Sequence, residues 1–182
     1  MLIQSNMLEL GSKAADFNLI DANTNTKKTY QSLKGEKGTF IIFICNHCPY
    51  VKYIFNTLLY VFETADKFNI SSIAINSNDV TQYPEDNFNN MTQLSQKNNF
   101  TYLYDDSQTT AKNYKAACTP DCYIFDENDL CIYRGRFDAS THKNGIPSTG
   151  ADILYAIQSL VLNKNIINEQ TPSIGCSIKW KN

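Results

Sequence analysis

The sequence predicts an α/β sandwich, a central mixed sheet with helices on both faces, and three observations carry that expectation. Residues 39–44, Thr-Phe-Ile-Ile-Phe-Ile, form an unbroken apolar, β-branched and aromatic run, the pattern of a strand buried on both faces. Strand patterns then alternate with helical ones, which argues for parallel central strands. Two late strand patterns, 122–126 and 131–135, close around the polar turn 127–129 and add antiparallel edges.

Taken in order, residues 1–11 read as a lead-in, and 16–21 as a short edge strand or extended segment. Residues 27–30 return beside it across the polar turn 23–26. The buried strand 39–44 runs straight into Cys45-Asn46-His47-Cys48-Pro49. A helix over about 50–68 follows, because Val51, Ile54, Phe55, Leu58, Leu59 and Phe62 recur at helical spacing. Residues 70–76 make the second buried strand. Phe88, Met91 and Leu94 place a helix over 85–97, started by Pro84. A short strand at 102–104, a short helix at 109–115 and the closing hairpin come next. The last helix spans about 150–162, and a tail through Cys176 and Trp180 follows.

With 182 residues, 42% hydrophobic and 12% aromatic, the chain can bury a core, and wholesale disorder is excluded. No repeat and no Gly/Ser/Pro linker marks a boundary, so a single domain over 1–182 is expected, with a tail from about 164. A net charge of −2 gives no electrostatic reason to bind nucleic acid or anionic membranes. No apolar run approaches the roughly 18 residues that span a bilayer. The first residues lack a basic segment followed by an apolar stretch, so a cytoplasmic location is expected.

Six cysteines in such a chain need not be a disulfide scaffold. Under reducing conditions, closely paired cysteines point instead to catalysis, redox sensing or metal binding. Only Cys45 and Cys48 have the tight Cys-x-x-Cys spacing. They lie between a buried strand and a helix, at the carboxyl end of the strand, where open α/β sheets place their sites. Unpaired N–H groups and the positive end of the helix dipole there favour thiolate over thiol. Two cysteines at this spacing also close a small, easily reduced disulfide. His47, inside the motif, is either a proton shuttle and thiolate partner or a surface histidine with no task. His142 lies in a polar loop and is expected to be solvated.

The second candidate is Ala117-Cys118-Thr119-Pro120-Asp121, where an X-Pro bond opens a strand and a cis peptide is tolerated. Cys176, in the tail, is either a filler or a functional thiol. Cys122 and Cys131 fall within predicted strands and read as buried fillers. Asp105-Asp106 reads as a turn that caps the helix after it. Phosphate loops, nucleophile elbows and His-Glu-x-x-His metal helices are absent.

Four blocks together resemble a bacterial thioredoxin-like family, the peroxiredoxin-like branch grouped with alkyl hydroperoxide reductase and thiol-specific antioxidant proteins. They are residues 43–51 (FICNHCPYV), 116–121 (AACTPD), 133–138 (YRGRFD) and 174–180 (IGCSIKW), and the likeness runs from about residue 11 to 181. The resemblance implies a thioredoxin fold, redox-active thiols and a cis-proline, Pro120, facing the active site. It also makes Cys176 a candidate resolving thiol. Two departures shift weight from peroxide reduction toward thiol–disulfide exchange. Cys45 and Ile41 stand where peroxiredoxins have Thr or Ser and Pro, and Lys112 stands where they use an arginine. Lysine lacks the planar, multi-donor contact of a guanidinium.

The expected activity is therefore a thiol–disulfide oxidoreductase, or its peroxidase sibling, cycling Cys45 and Cys48 without a cofactor. Its partners would be a protein or small-molecule disulfide, or a peroxide, and a thiol reductant that the residues do not identify. Pro49 suits the first helical position, which makes Cys48 the N-cap and brings its sulfur nearest the free N–H groups. The peroxiredoxin pattern agrees, since there too the reactive cysteine precedes a proline. Cys48 is thus the expected nucleophile, Cys45 its resolving partner, and His47, Cys118, Thr119 and Pro120 the supporting groups. A reading from another class uses Cys45, Cys48 and His47, with Cys118 beside them, to hold copper or zinc without redox turnover.

Overall fold

The computed structural model describes residues 2–164, 166 and 169–181. In chain order the elements are β1 (Leu2–Gln4), β2 (Asn18–Asp21), β3 (Thr26–Thr29), α1 (Tyr30–Leu33) and β4 (Gly38–Phe43). They continue with α2 (Pro49–Asp66), β5 (Ile70–Asn76), α3 (Phe88–Asn98), β6 (Tyr102–Tyr104) and α4 (Thr109–Asn113). Last come β7 (Cys118–Thr119), β8 (Asp121–Asp126), β9 (Cys131–Gly135), α5 (Ala151–Val161) and β10 (Ile174–Ser177).

A mixed seven-stranded sheet runs β3-β2-β6-β5-β4-β8-β9. Strands β4, β5 and β6 are parallel, and β8 and β9 add the expected antiparallel hairpin beside β4. All six residues of β4 are buried because the sheet is covered on both faces. Phe40 and Ile42 pack with Ile54 and Leu58 of α2 and Ile153 and Ile157 of α5. Ile41 and Phe43 point the other way, into a cluster with Tyr114, Tyr123 and Phe125. The two-residue period of a strand thus feeds two cores from one apolar run. No described helix is long and apolar enough to cross a membrane.

Four local expectations need correction. The segment 16–21 is not at an edge, since β2 lies between β3 and β6. The helix placed at 85–97 is split into a 3-10 turn, Pro84–Asp86, and α3, with Asn87 between them. The Asn87 Oδ1 accepts the Asn90 N–H at 2.9 Å, a side-chain cap that starts α3 after the proline turn. The four-residue helix α1 went unread, capped by Thr29, whose hydroxyl accepts the Ser32 N–H. Residues 2–4 of the lead-in and 174–177 of the tail also form strands. β1 and β7 flank β10 in a separate antiparallel three-stranded sheet, so chain ends far apart in sequence satisfy each other's backbone groups.

Candidate active site

The site is built where β4 ends and α2 begins. Ile44 is still tied to the sheet, its N–H donating to the Ile75 carbonyl at 2.9 Å, before the chain turns through residues 45–48. Pro49 occupies the first turn of α2 and Cys48 is the N-cap, in extended backbone at φ −62° and ψ 121°. Cys45 is 1% exposed and Cys48 fully buried.

The Thr119–Pro120 peptide is cis, and Thr119 meets both thiols. Cys48 Sγ donates to the Thr119 carbonyl at 3.2 Å, and Cys45 Sγ lies 3.5 Å from the Thr119 hydroxyl. The hydrogen bond between Cys45 and Cys48 is the largest influence on each, and it acts in opposite directions. It lowers Cys48 from its usual range to about 5, although burial opposes the shift. Ionised Cys48 also gains from the Thr119 hydroxyl, the Val51 amide in the first helical turn and the Cys176 thiol. The same thiol–thiol bond, then burial, pushes Cys45 well above the ordinary thiol range, and the nearby Asp86 carboxylate adds to the shift. When the pair loses one proton, the charge therefore settles on Cys48 and the remaining proton on Cys45.

Cys176 joins the site through the second sheet. Its partner across the β10–β7 ladder is Thr119, and on its other side it faces Leu2. Gly175 permits this approach, because a Cβ there would sit 2.1 Å from the Thr119 carbonyl oxygen. Burial and the neighbouring Cys48 raise the half-buried Cys176 thiol to about 11. Cys118 is fully buried on β7, its Sγ donating to the Pro120 carbonyl at 3.5 Å. Burial pushes its thiol far up. Cys122 and Cys131 are buried within β8 and β9, as their strand positions predict.

His47 is fixed by a residue that sequence reading missed. Asp86, fully buried, accepts the His47 N–H at 3.0 Å with one oxygen. Its other oxygen lies 2.6 Å from His47 Nδ1 and accepts the Asn78 amide at 2.8 Å. Tyr83 stacks on the imidazole at 5.2 Å. The same Nδ1 is 3.7 Å from Cys45 Sγ. Sulfur, imidazole and carboxylate ligand atoms of Cys45, His47 and Asp86 all fall within 4.8 Å of one another. Among the described residues this is the group that could hold a metal ion, and Cys48 and Cys118, expected in such a set, are outside it. Nothing in sequence spacing relates residue 86 to 45–48; the parallel pairing of β4 with β5 does.

One surrounding expectation changes as well. His142 is half-buried rather than solvated, packed edge-on to Tyr50 with ring centroids 4.3 Å apart. Lys112 is exposed, its Nζ 5.9 Å from the Trp180 ring. Asp105 does cap α4, accepting the Thr110 and Ala111 amides at 3.3 and 2.9 Å. A cavity of about 500 Å³ touches Cys45, Asn46 and Glu85, and a separate one of about 210 Å³ lies along Tyr50, Pro120 and Arg136 without a thiol in its lining.

Residues 10–134 match the AhpC/TSA family. An uncharacterized conserved protein from Geobacillus kaustophilus is 44% identical over 100% of this chain and 97% of its own, with a TM-score of 0.96. A hypothetical protein from Sinorhizobium meliloti 1021 is 37% identical over 98% of both chains, with a TM-score of 0.93. A putative thiol:disulfide interchange protein DsbE from Chlorobium tepidum shares 17% identity over 85% of this chain and 99% of its own, at a TM-score of 0.64. That likeness makes the fold thioredoxin-like. No curated protein sequence matches the chain.

Proposed function

Because the chain belongs to the AhpC/TSA family, we propose that it is a thiol oxidoreductase in which Cys48 attacks and Cys45 resolves, with disulfides favoured over peroxides. The observation that carries this reading is the opposite displacement of two neighbouring thiols by the hydrogen bond between them. A thiolate at Cys48 is available at neutral pH, while Cys45 keeps its proton until it is needed.

In the disulfide reaction, the Cys48 thiolate attacks one sulfur, the substrate S–S bond breaks, and the leaving thiolate takes a proton from solvent. The mixed disulfide removes the charge that held Cys45 protonated. Cys45 then loses its proton, attacks the Cys48 sulfur and expels the second substrate thiolate. The enzyme ends with a Cys45–Cys48 disulfide and the substrate with two electrons more. An external thiol reductant restores the pair. Thr119, its backbone against Cys48, offers the edge on which an extended substrate would lie.

Peroxide chemistry would instead oxidise Cys48 to a sulfenic acid with release of an alcohol or water, followed by condensation with Cys45 or Cys176. That step gains from a guanidinium beside the thiolate. Arg134 is engaged with the Leu8 carbonyl and Gln170, and Arg136 with Asp152 at 2.6 Å. Both arginines are thus committed elsewhere, which favours the disulfide reaction.

The test runs insulin-disulfide reduction and peroxide consumption in parallel, with thiols mapped by mass spectrometry after mild oxidation. Faster disulfide reduction, its loss in Cys48→Ser, and a Cys45–Cys48 bridge are expected. Peroxide turnover that outpaces disulfide reduction would make the peroxidase reading the correct one.

A further inference from the structure

We propose that Cys45, His47 and Asp86 form a zinc-type divalent metal site in the reduced protein, distinct from chelation by the Cys-x-x-Cys pair. Three observations lead there. The three ligand atoms already lie within 4.8 Å of one another. Asp86 is a fully buried carboxylate whose bonds come from His47 and Asn78, with no lysine or arginine among its described partners. A buried carboxylate needs a positive counterpart; among its described partners only the His47 imidazole, 2.6 Å away, could carry one, and a metal ion shared with that imidazole supplies a divalent one. Finally, a cavity of about 500 Å³ touches Cys45, and the His47 side chain is partly exposed, so water can reach the cluster as a fourth ligand.

The donor chemistry selects the ion. A thiolate and an imidazole are poor ligands for magnesium or calcium and good ones for zinc or cobalt. Thiolate and carboxylate together carry two negative charges, which neutralise a divalent ion beside a neutral imidazole. The Cys45 sulfur lies 3.7 Å from His47 Nδ1, close to the roughly 3.6 Å between sulfur and nitrogen in a tetrahedral zinc shell. The 2.6 Å contact between His47 Nδ1 and Asp86 now holds a proton. The ion replaces it, and those two atoms move apart. Binding releases the Cys45 proton and leaves the imidazole proton on Nε2.

An outer shell is present too. Asn78 donates to the Asp86 carboxylate at 2.8 Å, Asn76 holds the Asp86 carbonyl at 2.9 Å, and the Thr119 hydroxyl lies 3.5 Å from the Cys45 sulfur. Oxidation removes the thiolate, so the Cys45–Cys48 disulfide cannot keep the ion; this gating rests on the pairing proposed above. The two electrons pass to the incoming disulfide, and the ion leaves.

The probe is cobalt(II), titrated anaerobically into the reduced full-length protein, then displaced by zinc. One equivalent is expected, with a thiolate-to-cobalt charge-transfer band and the visible bands of a four-coordinate ion. Cys45→Ser should abolish the charge-transfer band, and Cys48→Ser should keep it. Asp86→Asn and His47→Ala should each weaken binding by about tenfold or more. His47 is partly exposed and not in the core, so its variant stands in if Asp86→Asn does not fold. No binding, or equal loss in Cys45→Ser and Cys48→Ser with unchanged affinity in His47→Ala, overturns the site. Thiol counts on the oxidised sample separate the two proposals. Cobalt retained after Cys45 and Cys48 have both lost their free thiols overturns the metal ligation. Failure of the disulfide to form overturns the pairing, and the variants still decide the metal site.

Discussion

Thr119 touches both halves of the Cys-x-x-Cys motif with different atoms: its carbonyl oxygen is 3.2 Å from Cys48 Sγ, and its hydroxyl 3.5 Å from Cys45 Sγ. The carbonyl suits a neutral Cys48, while the hydroxyl favours the ionised form of either thiol. Thr119→Val removes the hydroxyl and keeps the shape and the carbonyl. We expect the Cys48 titration midpoint to rise by about one pH unit, the worth of a charge-assisted hydrogen bond of about 1.5 kcal/mol. Thiolate absorbance in the ultraviolet, followed against pH, checks this; an unmoved midpoint removes Thr119 from the electrostatics.

Alkylation identifies the attacking thiol. As pH rises through about 5, Cys48 becomes a thiolate, so its alkylation rate should climb there and level off before neutrality. In Cys45→Ala the main stabilising hydrogen bond is gone, and the same climb should move to higher pH. The variant keeping Cys48 alone of the pair should react faster near pH 7 than the one keeping Cys45, with sites assigned by peptide mapping. The reverse order exchanges the two roles.

Asp121 gives a pH-dependent stability. Burial next to the cis-proline raises its carboxyl to about 7. One oxygen accepts the Ala117 amide and the Tyr123 hydroxyl, which oppose the shift without overcoming burial. Between the unfolded carboxyl value near 4 and about 7, the folded state binds the extra proton, so stability from this group falls as pH rises through that window. Asp121→Asn should flatten that part of the profile and add up to about 4 kcal/mol at pH 8. Urea unfolding at pH 5 and pH 8 makes the comparison, and equal pH slopes in the two proteins would refute it.

Gly175→Ala tests the docking of β10. Its new Cβ would meet the Thr119 carbonyl oxygen at 2.1 Å, a backbone atom that cannot swing aside. We expect a loss of about 1–3 kcal/mol from overpacking. Thr119 should also shift against Cys48, seen as slower alkylation of that thiol. Wild-type stability together with wild-type alkylation would show that β10 does not hold Thr119 in place.

Leu58→Ala tests whether the α2 packing supports the site. Leu58 is fully buried between α2 and the sheet, and truncation should cost about 2–5 kcal/mol in urea unfolding. Alkylation of Cys48 in the still-folded protein should keep its pH midpoint, because the cap residues lie ten positions away, nearly three turns up the helix.

Much of this molecule is readable from local rules. The apolar run at 39–44, the helical spacing of Val51, Ile54 and Leu58 and the hairpin around 127–129 are short-range patterns, and each appears as β4, α2 and the β8–β9 pair. Cys48 as N-cap follows from Pro49 alone, since a proline with no N–H fits the first helical turn. What sequence could not supply were partners set by long-range closure. Asp86 reaches His47 because β5 lies parallel to β4 and carries its following loop to the same sheet end. Cys176 reaches Thr119 because β10 found unpaired backbone on both β1 and β7. Neither association has a periodicity or a spacing. Both depend on which strand edges remain open once the central sheet has formed, and that is decided by the whole chain at once.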